Sequence, residues 1–197
     1  MPLALGGLIS HTDLAGVLCV RVQPWDGGGA AAEAYFSCVV RFLDAINSAF
    51  DEEWHVLCLA IEIFVRALVD PAGRKYVLWP KDRVFALCAA AYGLALKQIS
   101  VNTESVSTIA KVVFGSARLR ERCDEVAKVE CWLFAHLGHC IPQLAAAAVA
   151  IDNKVPSGAN HSKRVRRHYL RVLRAVPTPE LLSLNAATIA KLVAATA

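Results

Sequence analysis

Between Arg83 and Lys97 the chain reads RVFALCAAAYGLALK, with no charge between the two terminal residues. A helix that is apolar all round has no face to give to water and has to be buried on every side. Ala86, Ala89, Ala90, Ala91, Gly93 and Ala95 are too small to fill space themselves. Neighbouring backbones must therefore come close for the interior to reach normal packing density. The stretch is too short to cross a bilayer, which takes about 20 apolar residues, so it predicts a central helix ringed by other helices.

A chain of 197 residues is long enough to enclose such a helix in one sizeable core. The hydrophobic fraction of 56% is carried largely by alanine, strand-like alternation is scarce, and Pro-rich, Gly-rich or repetitive tracts are too few for a disordered or fibrous chain. The expected fold class is all-α. Seven cysteines, at 19, 38, 58, 88, 123, 131 and 140, are an odd number scattered through helical patterns. They read as small buried hydrophobes in a reducing compartment rather than as a disulfide framework.

Neither of the two long apolar segments outside the central helix reads as a targeting or membrane element. Residues 1–20 lack a positive n-region and are interrupted by His11 and Asp13, unlike a signal peptide. Cys131 to Ile151 contains no Asp, Glu, Lys or Arg, but His136, Gly138, His139, Pro142 and Gln143 fall within it, which argues against a spanning helix.

Residues 1–29 form a leader that ends in Trp25-Asp26-Gly27-Gly28-Gly29, a flexible boundary. From Ala30 to Phe50, Phe36, Val39, Val40, Leu43 and Ile46 recur at three- and four-residue spacing, which predicts a first amphipathic helix. Asp51-Glu52-Glu53 supplies a cap and an acidic first turn to a second, more buried helix that runs to Asp70, where Pro71 and Gly73 break it. After the central helix, Glu104 to Phe114 reads as a short amphipathic helix closed by Gly115 and Ser116. Arg118 to Leu137 makes a fifth, with Cys123, Val126, Val129, Leu133 and Leu137 along one stripe and Gly138 in the C-terminal cap position.

The order and lengths of these five helices, with the third almost wholly apolar, resemble the cyclin box, and the motifs resemble it too. Glu53 to Leu68, EWHVLCLAIEIFVRAL, is similar to the cyclin pattern ETLHLAVNYIDRFL, with Leu59-Ala60 and Arg66 in register. Phe85 to Lys97, FALCAAAYGLALK, resembles the run ending LLASK, and Val129 to Leu133, VECWL, resembles the ME…L of the fifth helix. The resemblance implies a cyclin box over residues 30–151. Residues 152–197 would then form a basic linker or helix and a partial second cyclin repeat, with Ala187-Thr188-Ile189-Ala190 at its PSxIA motif. It further implies a regulatory subunit, not an enzyme, that binds and activates a cyclin-dependent serine/threonine kinase as a heterodimer in the nucleus or cytoplasm. Lys97 and Glu130 would hold backbone groups beside the kinase αC helix, with Leu94 and Leu133 supplying apolar contact. On the residues alone, Lys97 merely ends one helix and Glu130 lies on a solvated face of another.

Departures from the family pattern are equally specific. Tyr35 to Val39, YFSCV, stands at the MRAIL motif without its arginine, and Val65 replaces the aspartate before Arg66, so a buried charge pair is missing from both sides. Losing both partners is far cheaper than losing one. A substrate-docking patch would fall at Phe36, Val39 and Phe42, but Ala45 stands where a glutamate would hold a basic docking peptide.

Other chemistry is sparse. Cys123, Cys131, His136, His139 and Cys140 contain ligand types for zinc, but their spacing fits no ribbon or finger, so no metal is expected. No phosphate loop, nucleophile elbow or metalloprotease helix is present, so neither a catalytic site nor a cofactor is expected. Lys163-Arg164-Val165-Arg166-Arg167, continued by Arg171 and Arg174, has no acidic residue until Glu180. With Val165, Tyr169, Val172, Leu173 and Val176 at helical spacing, it reads as an amphipathic helix with a basic outer face. Such a run also suits nuclear import or nucleic-acid contact. The runner-up to the kinase reading, a transcription-factor-type cyclin fold holding nucleic acid or a non-kinase protein, rests on it. The resemblance itself points to a kinase rather than to nucleic acid or membrane.

Overall fold

A computed structural model of the chain describes residues 30–50, 52, 54–69, 81–100, 104–138, 141, 161–175, 191, 192 and 195. They form six helices: α1 (Ala30–Ala49), α2 (Trp54–Val69), α3 (Lys81–Ile99), α4 (Val106–Phe114), α5 (Leu119–Leu137) and α6 (His161–Ala175). No strand occurs among the described residues, and the fold is all-α. No helix there is long and apolar enough to cross a membrane. The leader and the residues at the PSxIA-like motif lie outside the described residues, as do Asp51 and Glu53, the expected cap and acidic first turn of α2.

α3 is the centre. Every residue from Val84 to Leu96 is buried, and α1, α2, α4 and α5 all pack against it, with α2 and α5 the most extensive neighbours. The small residues let this happen. A Cβ placed on Gly93 would come within 3.3 Å of Ile109 Cδ1 on α4, a tight contact that shows how closely α3 and α4 approach at this point. α2 is almost as enclosed. From Val56 to Val65 all its residues are buried, whereas Arg66 is exposed.

One buried polar residue joins three elements. Asn47, near the end of α1, donates from Nδ2 to the Glu52 carbonyl at 2.9 Å, and its Oδ1 accepts from the Tyr92 hydroxyl of α3 at 3.4 Å. The Phe50 ring stacks on Tyr92 with centroids 5.6 Å apart. The α1–α2 turn is thereby tied to the central helix, and the buried amide does not go unsatisfied.

α4 begins at Ser105, whose hydroxyl accepts from the Thr108 amide at 3.1 Å. It ends at Gly115, where φ of 79° calls for glycine. Gly138 stands at the C-terminal cap of α5, as its position in the sequence suggests. Its backbone is in the right-handed helical region (φ −54°, ψ −34°) and its amide donates to the Phe134 carbonyl, which closes the last turn.

α6 lays its apolar face, Val165, Tyr169 and Val172, against α2, with Tyr169 6.2 Å from Trp54 between ring centroids. The burial of these three residues places them in the same core as α1 to α5. Arg166 fixes the flank of the helix to α1, donating to Asp44 at 2.7 Å and to the Ser48 hydroxyl at 2.8 Å.

Candidate partner-binding groove

Lys97 lies in the last turn of α3 and Glu130 in the middle of α5, on the buried stripe formed by Val126, Val129, Leu133 and Leu137. The Lys97 ammonium donates to Glu130 Oε1 as an ion pair across the two helices. Its side chain remains 42% exposed, against 12% for Glu130. Glu130 is therefore not on a solvated face: it faces α3 and is covered by its own partner. Gly93, one turn before Lys97, faces the same carboxylate: a Cβ there would lie 3.9 Å from Glu130 Oε2, in ordinary contact. A charge this enclosed is stable only when paired.

The pair stands at one side of an open groove of about 560 Å³ between α3 and α5, lined by Leu94, Val106, Ala127, Phe134 and Ile141 beside Lys97 and Glu130. Phe134 is 63% exposed, an unusual position for a large aromatic ring beside an apolar floor. It follows Glu130 by four residues and so shares its side of α5. Cys131, an exposed free thiol, also lines the groove.

The residues expected here divide. Leu94 lies at the groove floor, largely buried. Leu133, expected to offer contact surface, is fully buried in the core, and Phe134 beside it is the outward residue. The four-residue step from Glu130 was the signal that could have identified Phe134. The docking patch is also displaced inward: Phe36, Val39 and Phe42 are all buried, with the Phe42 ring tilted against Phe85 of α3 at 4.6 Å between centroids. They belong to the buried core and offer no docking surface, because the apolar stripe of α1 is consumed by it.

Of the basic residues, Lys163 and Arg167 are exposed, Arg164 is half-buried, and Arg166 is engaged by Asp44. Cys131 is exposed, and His136 turns Nδ1 back to the Trp132 carbonyl at 2.8 Å. His139 and Cys140 lie outside the described residues, among which no three His, Cys, Asp or Glu side chains gather as a metal site would require.

Chemically, the groove offers an apolar trough edged by one aromatic ring, with a donor and an acceptor fixed side by side. Lys97 keeps N–H donors beyond the one given to Glu130, and Glu130 keeps Oε2 as an acceptor. Such a site suits an apolar segment that presents a backbone carbonyl to Lys97 and a backbone N–H to Glu130. No family model, curated protein or solved structure matches the chain.

Proposed function

We propose that this chain is a cyclin-like regulatory subunit that binds and activates a cyclin-dependent serine/threonine protein kinase, as a heterodimer in the nucleus or cytoplasm. The observation that carries the reading is the Lys97–Glu130 pair standing beside the apolar groove between α3 and α5. These are the two residues whose roles the cyclin-box resemblance implies, and the fold brings them together from positions 33 apart in sequence. Phe134 and Leu94 supply the apolar contact. Lys97 donates to a backbone carbonyl of the kinase while Glu130 accepts from a backbone amide, each a charge-assisted bond of about 1.5–3 kcal/mol.

Activation follows from differential binding. A partner that contacts the αC helix only in its active position shifts the kinase toward that position by the difference in affinity, and no catalytic group on the chain is needed. The reading is tested by adding the purified chain to a panel of cyclin-dependent kinases and measuring peptide phosphorylation. At least one kinase gains activity in proportion to complex formed, and Phe134→Ala abolishes most of the gain. Absence of binding to every kinase, or activation unaffected by Phe134→Ala, contradicts it.

A further inference from the structure

We infer that the outward face of α6 is a docking surface for the phosphate backbone of double-helical DNA, formed by Lys163, Arg167 and Arg171. This surface is made of different residues on a different helix from the groove, and it does not rest on the kinase reading.

The structure sorts a basic run that the sequence presents as one block. Val165, Tyr169 and Val172 are spent on the core, and Arg166 is spent on Asp44 and Ser48. Among the described side chains of the run, Lys163, Arg167 and Arg171 are exposed, at intervals of four residues and so about 6 Å apart along the helix axis. None of the three takes part in an ion pair among the described residues. α6 carries no acidic residue at all. The local field is strong enough to act on a neighbour: His168 is held below the ordinary imidazole value by desolvation and by the charges of Arg171, Arg164 and Arg167. Like charges four apart on a helix repel one another, so an array kept outward in this way gains from an anionic partner.

The chemistry of the face selects among anionic partners. A helix lying in a membrane surface buries its apolar side in lipid, and the apolar side of α6 is already in the core. A protein partner normally finds an apolar or aromatic centre, yet the exposed large hydrophobics among the described residues are Phe134 and Leu192, neither on α6. The one Phe, Tyr or Trp ring of α6, Tyr169, is buried and cannot stack an unpaired base, which favours a duplex over a single strand. B-DNA holds its phosphates along a major groove wide enough to take a helix, whereas the major groove of A-form RNA is deep and narrow, which favours DNA over RNA. A guanidinium fork matches phosphate oxygens bidentately and reads no sequence, so the contact is non-specific.

The experiment is fluorescence anisotropy of a labelled DNA duplex titrated with the full chain between about 50 and 200 mM salt. Wild type binds at the low end, and log K falls steeply with log salt. Lys163→Gln/Arg167→Gln/Arg171→Gln weakens binding at least about tenfold and flattens the slope by about 2 to 3, since each phosphate contact contributes roughly 0.9. Arg167→Gln alone flattens it by about 0.9, which preserves the test should the triple variant misfold. Phe134→Ala binds DNA as wild type does, whether or not it binds a kinase. Absence of duplex binding at low salt, a slope unchanged by Arg167→Gln, tighter binding of the single strand, or binding of a poly-glutamate peptide in preference to the duplex would each overturn the inference.

Discussion

Glu62 shows how one side chain can set the pH response of this fold. It lies on α2 and is only 7% exposed, and burial pushes its carboxyl up to about 7 against the opposing charge of Arg66. The Cys58 thiol on the same helix and the Tyr169 hydroxyl of α6 also lie in its field, and both are raised, chiefly by burial. A carboxyl whose folded value exceeds its unfolded value of 4.5 binds its proton more tightly in the native state. Its stabilising contribution is complete below about pH 4.5, falls as the unfolded chain ionises, and is lost once pH passes about 7. The expected loss across that window is about 3 kcal/mol, at 1.36 kcal/mol per pH unit. Glu62→Gln removes the dependence, so urea denaturation should show the variant gaining on wild type between pH 5 and pH 8. A difference between the two that stays constant with pH would contradict the assignment.

At the scale of elements, α3 was legible because its apolar run leaves no alternative to burial, and α4 because of its amphipathic spacing and Gly115 at its end; the Ser105 cap emerged only from the structure. One displacement has a physical cause. Phe36, Val39 and Phe42 were placed on a surface by family register, but an amphipathic helix has one apolar stripe and the core of this chain takes it. Gly138 does hold the C-terminal cap position of α5, and its amide completes the helix hydrogen-bond pattern there. Arg166 was inseparable from its neighbours by sequence because its partner Asp44 lies 122 residues away. The packing of α3 on α4 makes its own prediction. Gly93→Leu would drive a side chain toward Ile109 and Glu130, and should destabilise the fold by about 1–3 kcal/mol or more. Thermal or urea unfolding checks this, and a melting temperature equal to wild type would show that α3 and α4 are not held at this distance.

Across the whole molecule, the central helix does two jobs with one stretch of sequence. Its small residues draw four helices around it, and its last turn carries Lys97 out of that core to the groove. Half of the candidate site was readable as residues, Lys97 and Glu130, but their pairing and the burial of Glu130 were not, since both depend on the α3–α5 crossing. That burial changes how the site has to be probed. Charge reversal at Glu130 would enclose two cations together and would disturb folding as well as binding. Phe134 is the cleaner probe, because an exposed ring contributes little to the free protein and much to a complex that covers it. The affinity of an activated kinase for wild type and Phe134→Ala, measured by calorimetry alongside the thermal melting of both free proteins, is the most direct test. The account predicts unchanged melting and a loss of about 1.5–3 kcal/mol, roughly ten- to hundredfold in Kd. Equal affinities would contradict it, and so would a large fall in melting temperature, which would make Phe134 a structural residue and leave the groove without its function.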